Sequence, residues 1–293
     1  MPALDTILSR PGRPTVVRYR PQRRCTIRFE RLDNGKPGFA KVFADESGLR
    51  IHEDSLKLWE AACDGTLGFA VARPLGLEPE TRTVWQASLQ GDPVKSQLFG
   101  PGGPRLAEQM GRAAASLPRS GLIPDLIVDA EVQLKRSRRY GRHLTQRVPA
   151  LAADSDRLLD ALESRHAAAG PRPRLPIHGS PHIHQWLING ASLGLVDFDR
   201  FALGEPELDA ATFLAEMDFE NPSRVPVQQI NQAFLTGYET IAGPLDPGLL
   251  QAYRAHKRLS KALKAARAVR PDGARRAARN LRRALACLTE PLW

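Results

Sequence analysis

The sequence has no long hydrophobic run and few cysteines. No stretch of its 293 residues approaches the roughly 18 apolar residues of a membrane span, and its N-terminus lacks the apolar core of a signal peptide. The three cysteines, Cys25, Cys63 and Cys287, are scattered, odd in number and without metal-binding spacing. We therefore expect a reduced, cytoplasmic protein without a membrane span.

Acidic residues are outnumbered by basic ones. The 42 Lys and Arg against 32 Asp and Glu give a formal net charge of +10, which favours an anionic partner such as a nucleotide, a nucleic acid or a phosphorylated substrate. A biased genome composition would account equally well for the many Arg, Ala and Pro residues. Nucleic acid is the weakest of these candidate partners, because no recognised nucleic-acid-binding module accompanies the charge.

The first 90 residues predict a small α+β lobe with a mainly antiparallel sheet. Four segments have the pattern of strands, at residues 24–31, 39–43, 69–72 and 83–89. Turn formers at 33–38 join the first two strands into a hairpin, and a helical pattern follows from about residue 48 to 63. Residues 1–20, rich in Pro and Arg, are expected to extend across the surface.

Beyond residue 97 the pattern is mostly helical. Amphipathic helices are predicted at 105–117, 148–169, 210–217, 228–241, 247–263 and 274–288. A short hairpin interrupts them, in which strands Trp186–Ile188 and Leu193–Phe198 flank the turn-forming dipeptide Asn189-Gly190. The prediction is a bilobal α+β protein, with a sheet-rich lobe at residues 1–91 and a larger helical lobe at residues 92–293.

Polar side chains stand at both ends of this hairpin. They are His178, Ser180, His182 and Gln185 before the first strand, and Asp197 and Asp199 at the end of the second. Because a hairpin brings its outer ends to one edge of the sheet, we expect a phosphate–metal site there. Asp197 is the firmest candidate, since a carboxylate at the end of an apolar strand needs a partner. The histidines could suggest zinc, but no Cys or further His completes a tetrahedral set.

These segments resemble the motifs of the aminoglycoside phosphotransferase family (APH/choline kinase-like), small-molecule kinases with a protein-kinase-like fold. The family's catalytic loop, His-Gly-Asp-x-His-x-x-Asn, is matched by His178-Gly-Ser-Pro-His-Ile-His-Gln185. Its metal motif is matched by Val196-Asp-Phe-Asp199, and its Gly-Asp-Pro-x-x-Asp-Leu-Ala segment by residues 204–211. By order of elements the resemblance covers nearly the whole chain. It implies ATP and Mg²⁺ as cofactors and a small-molecule acceptor as the partner.

The resemblance also implies roles for individual residues. Asp197 would hold the Mg²⁺ that bridges the β- and γ-phosphates, and Gln185, in place of the usual Asn, would be a second metal ligand. Lys41 would contact the α- and β-phosphates. Glu60 is the expected carboxylate partner of Lys41, with Glu53 as the alternative.

An inter-lobe hinge is implied as well. The main chain at Gln86, Ala87 and Leu89 would receive the adenine. Two further motif residues are interpreted as structural, Asp209 as a helix N-cap or loop brace and His178 as a packed, hydrogen-bonded side chain.

Ser180 departs from the family pattern, because it stands where the family has the Asp that accepts the proton of the substrate hydroxyl. A serine is not ionised at neutral pH, but general-base assistance is worth only about 10² to 10⁴-fold and phosphoryl transfer needs little early proton abstraction. The chain could thus be a kinase that transfers slowly or recruits a nearby group such as His182. The alternative is a pseudokinase that binds nucleotide or a protein partner with little or no catalysis.

The charges indicate two opposite classes of acceptor. The basic run 135–147 and the basic segment 254–283 would repel a polycationic aminoglycoside and favour an anionic acceptor, unless they only form solvated helix faces. Acidic residues after the metal motif would instead suit an amine-bearing acceptor, and these are Glu205, Glu207, Glu216, Asp218 and Glu220. The acceptor stays open.

Overall fold

The computed structural model describes residues 3–217 and 227–289. Its contacts divide the chain into two compact units, one of Met1–Val94 with His184–Asp199 and one of Lys95–Ile183 with Arg200–Trp293. The predicted α+β class, with an antiparallel sheet near the N-terminus and helices towards the C-terminus, is confirmed. The lobe boundary between residues 91 and 92 stays a prediction. Among the described helices, none combines the length and apolar character needed to cross a membrane.

The elements follow one another in chain order. The strands are β1 (Pro14–Arg20), β2 (Arg24–Asp33), β3 (Lys36–Phe43), β4 (Pro74–Glu78), β5 (Thr83–Ala87), β6 (Asp92–Pro93), β7 (Ile127–Val128), β8 (Leu175–Ile177), β9 (Trp186–Asn189), β10 (Ser192–Leu195) and β11 (Ala202–Gly204). The helices are α1 (Ala3–Leu8), α2 (Ser47–Cys63), α3 (Lys95–Leu98), α4 (Gly103–Ser116), α5 (Ala130–Arg147), α6 (Ala152–Ala169), α7 (Glu207–Met217), α8 (Val227–Ala242), α9 (Pro247–Arg267) and α10 (Gly273–Ala286).

The first unit is built on a five-stranded antiparallel sheet with the strand order β1-β2-β3-β5-β4. Because successive side chains of a strand point to opposite faces, the two faces of the sheet contact different parts of the structure. Ile27 and Ala40 are paired on one face and are buried with Ile7 of α1. Lys41 lies on the opposite face, paired with Val84 of β5. On that face Val84 forms a core with Ile51 of α2. The sheet therefore holds Lys41 on the α2 side.

Two predictions for the first unit are wrong. Residues 69–72 form no strand but a loop, in which Phe69 and Val71 are buried and Ala70 makes an isolated bridge. The strand β4 comes later, where Pro and Gly weaken the strand pattern. Residues 3–20, the described part of the segment 1–20, are not simply extended, because they include α1 and the edge strand β1. The apolar side chains of β1 are exposed and do not alternate regularly with polar ones, so the sequence shows no clear strand pattern there. The strand forms because it pairs with β2.

The predicted hairpin is present as β9 and β10. Asn189 pairs with Ser192 across a turn in which Gly190 has φ of 60°. The hairpin is held in the first unit by β6 and by Ala70, whose N–H donates to the Leu193 carbonyl at 2.8 Å. The second strand ends at Leu195 and not at Phe198 as predicted, because Asp197 adopts φ of 70°, a conformation outside the strand region.

The second unit is mainly helical. All six predicted helices are present, as α4, α6, α7, α8, α9 and α10. Helix α9 packs against α5, α6, α7 and α10 around a core that includes Leu158, Leu259 and Leu281. Helix α5 was not predicted, because most of the residues that it buries are polar or small rather than apolar, such as Gln133, Ser137 and Gly141. Its basic residues are those of the run 135–147.

Candidate functional site

Lys41 is the centre of an ionic cluster in the first unit. Its side chain is 8% exposed, and its Nζ lies 2.6 Å from Oδ1 of Asp199 and 3.1 Å from Oδ1 of Asp197. Burial lowers the pKa of Lys41, the charge of Asp197 opposes this effect, and Arg24 adds to it. The strand β3 and the hairpin thus bring together the Lys41 and Asp197 that the sequence singled out.

Asp197 lies in the loop that follows β10 and has an unusual backbone conformation. Its φ of 70° is rare for a residue other than glycine, and such conformations cluster at functional sites. Gln185 is its neighbour, because the Val196 N–H donates to the Gln185 carbonyl at 3.1 Å and the Gln185 amide donates to Asp197 Oδ2 at 3.3 Å. Phe198 stacks on Phe69, with ring centroids 5.9 Å apart. The loop is therefore anchored on both sides of Asp197.

Sequence reasoning missed Arg24 at the start of β2. Its side chain is 13% exposed, forms an ion pair with Asp199 and lies 3.6 Å from Asp197. The Arg50 guanidinium also donates to the main-chain carbonyl of Asp199 at 3.2 Å. Arg24 lies on the same face of the sheet as Lys41, and only the pairing of β2 with β3 reveals this. Two carboxylates and two cations therefore form one network.

The structure does not bring Glu60 or Glu53 to Lys41. Both glutamates are exposed on α2, and the ion-pair partners of Lys41 in the described chain are Asp197 and Asp199. The helical phase turns Asp54 inwards instead, where it accepts from Arg50 at 2.8 Å. The expected pairing of Lys41 with Glu60 is therefore not formed. Any role of Glu60 in nucleotide binding stays a prediction.

The donor set around Asp197 fits Mg²⁺. Asp197, Asp199 and Gln185 offer the oxygen ligands that Mg²⁺ prefers, and rotation of the Gln185 amide would turn its carbonyl oxygen towards a metal. In the described ranges, no three His, Cys, Asp or Glu side chains are grouped so that they could hold a metal ion by themselves. Mg²⁺ commonly uses one or two carboxylates with substrate phosphates. The residues thus suit a metal that arrives with a nucleotide.

Two of the predicted hinge residues line a cavity of about 620 Å³ in the first unit. Ala87 and Leu89 form part of its wall, together with Trp59 and Leu193, whereas Gln86 does not. This volume is typical of small-molecule pockets. The N–H groups of Ala87 and Ser88 are already bonded to main-chain carbonyls, so the proposed adenine contacts at the hinge stay a prediction.

The loop that carries Ser180 is braced by Asp209 at the start of α7. The Asp209 carboxylate accepts from the N–H of His178 at 2.6 Å and of Gly179 at 2.9 Å. Burial raises the pKa of Asp209 to about 7, although both hydrogen bonds and Lys257 act against this. The interpretations of Asp209 as a loop brace and of His178 as a packed residue are confirmed.

Ser180 is the first member of a hydrogen-bonded chain in the second unit. Its Oγ lies 2.9 Å from Nε2 of His182, and Nδ1 of His182 lies 3.1 Å from Oε1 of Glu216. With the proton on Nδ1, His182 donates to Glu216 and its Nε2 accepts from the serine hydroxyl. Lys257 also donates to Ser180 Oγ at 3.4 Å. Sequence reasoning named Ser180 and His182 but did not connect them to Glu216.

Glu216 is held in its ionised form. Burial acts to raise its pKa, but the hydrogen bond from His182 and the charges of Lys261 and Lys257 outweigh it and lower the pKa to about 2. Lys261 lies 3.4 Å from the same carboxylate. At neutral pH an ionised carboxylate therefore faces Nδ1 of His182.

Two of the other acidic residues after the metal motif, Glu205 and Glu207, have internal partners. Glu205 is buried beside the Tyr253 hydroxyl, which donates to it, and burial together with the charge of Glu207 raises its pKa to about 7. Glu207 is buried and pairs with Arg172 at 2.9 Å. Asp218 and Glu220 lie outside the described residues. Neither Glu205 nor Glu207 therefore offers an exposed carboxylate to an amine.

A family model described as the phosphotransferase enzyme family (APH) matches residues 62–244, more than half of the chain. No curated protein matches the sequence. Many solved structures are similar in fold, and three of them illustrate the likeness.

A choline/ethanolamine kinase family protein from Mesorhizobium loti has a TM-score of 0.63 and 18% identity, over 99% of this chain and 92% of that chain. Amicoumacin kinase hAmiN in complex with AMP-PNP, Ca²⁺ and Ami has a TM-score of 0.67 and 14% identity, over 99% and 93%. Aminoglycoside-3'-phosphotransferase of type VIII has a TM-score of 0.61 and 20% identity, over 88% and 98%. At such identities the likeness shows the fold, and it confirms the protein-kinase-like fold predicted from the motifs.

Proposed function

Because the chain belongs to the APH phosphotransferase enzyme family, we propose that it is an ATP- and Mg²⁺-dependent kinase that phosphorylates a hydroxyl group of a small molecule. The hydrogen-bonded chain Ser180–His182–Glu216 carries this proposal over the pseudokinase alternative. It supplies a base beside the residue that replaces the family's Asp.

The nucleotide is proposed to bind at the ionic cluster of the first unit. Lys41 would donate to phosphate oxygens, and Asp197 and Gln185 would hold the metal. When bound, Mg²⁺ would neutralise charge on the β- and γ-phosphates. Arg24 would keep Asp199 in place as Lys41 turns from the carboxylates to the phosphates.

The proton of the acceptor is proposed to pass to His182. The acceptor oxygen attacks the γ-phosphorus, the bond from that phosphorus to the β–γ bridging oxygen breaks, and ADP leaves with the electron pair. The acceptor proton reaches Nε2 of His182 directly or through the Ser180 hydroxyl. Glu216 fixes the tautomer of His182 and stabilises the imidazolium that forms, as the acid does in a Ser-His-Asp triad.

A binding experiment tests the nucleotide part of the proposal. Calorimetric titration with ATP, with and without Mg²⁺, should show Mg²⁺-dependent binding to the wild type and weaker binding to Asp197→Asn. Asp92→Asn is the matched control, because Asp92 is exposed on β6. The absence of ATP binding to the wild type would exclude the kinase.

An assay of phosphoryl transfer distinguishes the kinase proposal from the pseudokinase alternative. ADP release should depend on an acceptor and should fall strongly in His182→Gln. ATP binding without transfer to any cationic, neutral or anionic acceptor would favour the pseudokinase.

A further inference from the structure

A second, partly open cavity lies in the second unit, next to the loop that carries Ser180. Its volume is about 60 Å³, which exceeds the roughly 10–15 Å³ that one water molecule needs. Gly179 forms part of its wall. Three cationic side chains line it, namely Arg136 of α5, Arg200 and Lys257 of α9. We call it the cationic pocket.

The cations of this pocket are not neutralised by carboxylates within it. No Asp or Glu is among the described residues that line the cavity. Arg136 donates to the neutral amide of Gln133 at 3.3 Å, and neither Arg136 nor Arg200 forms an ion pair with another described residue. Hydroxyl groups of Tyr140 and Ser260 are also part of the lining. Such a lining suits an anion with several acceptor oxygens.

The effects of these cations on one another's pKa values also support an anion-binding pocket. Burial lowers the pKa of Arg136, and the charge of Arg200 lowers it further. Burial and Arg200 also lower the pKa of Lys257 to about 8, whereas Glu216 and Asp209 act to raise it. The three like charges repel one another, so an anion in the pocket would remove an unfavourable interaction.

Lys257 connects the pocket to Ser180, because its Nζ donates to Ser180 Oγ at 3.4 Å. We propose that the cationic pocket binds a phosphate group of the acceptor, so that the substrate class is a small phosphorylated alcohol. This inference rests on the proposed function. Three cations match a dianionic phosphate better than a singly charged carboxylate, and the small volume favours a single group over a nucleic-acid backbone.

The first test measures anion binding without any reaction. Calorimetric titration of the full chain with inorganic phosphate, at constant ionic strength, should show binding to the wild type. Arg136→Gln and Arg200→Gln should each weaken it about tenfold or more, because each removes charge-assisted hydrogen bonds. Arg142→Gln is the matched control, with the same change of charge at an exposed position of α5. Its affinity should equal that of the wild type.

Three results of this titration would overturn the inference. The first is equal binding by the wild type, the two pocket variants and the control, and the second is no binding to the wild type. The third is a loss of phosphate binding in Lys41→Met with no loss in Arg136→Gln, since the phosphate would then bind at the nucleotide cluster. Circular dichroism of each variant verifies that it is folded, and Arg200→Lys serves as a milder second variant.

The second test measures transfer from Mg²⁺-ATP to glycerol, glycerate and glycerol 3-phosphate. We expect kcat/KM to be highest for glycerol 3-phosphate and to fall about tenfold or more in Arg136→Gln, with ATP affinity unchanged. Preference for glycerate would assign a carboxylate and contradict the phosphate assignment. A kcat/KM for glycerol that equals or exceeds that for glycerol 3-phosphate, with both values unchanged in Arg136→Gln, would overturn this inference but not the proposed kinase. Arg136-dependent phosphate binding without any ATP binding would overturn the kinase but not the pocket.

Discussion

Nε2 of His182 lies 2.9 Å from the hydroxyl oxygen of Ser180. This distance matters because Ser180 occupies the position of the family's base and cannot accept a proton itself at neutral pH. The imidazole beside it can, and Oε1 of Glu216 lies 3.1 Å from its Nδ1, where the carboxylate favours the tautomer with the proton on Nδ1. The substitution that first suggested a pseudokinase is therefore accompanied by an imidazole, which we propose as the replacement base.

Removal of that base should slow transfer. We expect His182→Gln to lower kcat by about 10² to 10⁴-fold with little change in the KM for ATP, since general-base assistance has this size. Steady-state kinetics would measure both constants. His143→Gln, a change of the same kind on α5, should leave kcat unaltered. An unchanged kcat in His182→Gln would show that His182 takes no part in proton transfer.

An Asp at position 180 should compensate for the loss of His182. In the double variant Ser180→Asp with His182→Gln, a carboxylate stands at the family's base position, so we expect kcat to recover by at least tenfold over His182→Gln alone. Single-turnover kinetics would separate this recovery from product release. If the double variant is no faster than His182→Gln, proton acceptance at this position does not limit the reaction.

The ion pair of Arg24 with Asp199 should stabilise the first unit. Both side chains are nearly buried, at 13% and 10% exposure. We expect Arg24→Gln to reduce the free energy of unfolding by about 1–3 kcal/mol, because it leaves the carboxylate with one cation fewer. Urea denaturation would measure this. Arg28→Gln removes an exposed charge from the same face of β2 and should change stability by less than about 0.5 kcal/mol. Equal effects would contradict the role of the pair.

Glu216 should make stability depend on pH in acid. Its folded pKa of about 2 lies below the usual 4.5, so its contribution is complete above pH 4.5 and is lost as the pH falls towards 2. The shift corresponds to about 3 kcal/mol. The difference in melting temperature between wild type and Glu216→Gln should therefore shrink below pH 4.5. This comparison cancels Asp209 and Glu205, whose raised pKa values give the opposite slope between about pH 4 and 7. A constant difference would contradict the assignment.

Gly179 should tolerate no side chain. Its φ is +78°, and a Cβ atom there would lie 2.4 Å from the Arg200 carbonyl oxygen. We expect Gly179→Ala to destabilise the second unit by more than about 2 kcal/mol, through strain and the contact. Gly121→Ala is the control, because its φ is +71° but its Cβ would meet open space. Thermal melting should show a clearly larger loss for Gly179→Ala, and equal losses would mean that the contact relaxes freely.

Local patterns predicted most of the fold. Alternation and turn formers identified β2, β3 and β5, and apolar periodicity identified α2 and six later helices. The failures share a physical cause, which is that the deciding contacts are distant in sequence. Strand β1 is fixed by its pairing with β2, and helix α5 buries polar residues that only its neighbours satisfy.

The residues of the candidate site also divide into those with a local sequence signal and those that only distant contacts bring together. Short stretches of sequence were enough to select Lys41, Gln185, Asp197 and His182 as candidates. The Lys41 partner was misassigned to Glu60, because helical phase at α2 depends on how the helix packs on the sheet. Arg24 and the cationic pocket gave no local signal, since their members come from separate elements.

Phosphoryl transfer itself tests the central claim most directly. ³¹P NMR of the wild type with Mg²⁺-ATP and glycerol 3-phosphate should show ADP and a new phosphomonoester resonance growing together, with neither formed by Asp197→Asn. The same spectra with neutral and cationic alcohols would cover the other acceptor classes. If the wild type binds Mg²⁺-ATP but forms no phosphomonoester from any of these alcohols, the chain is not a kinase of small molecules.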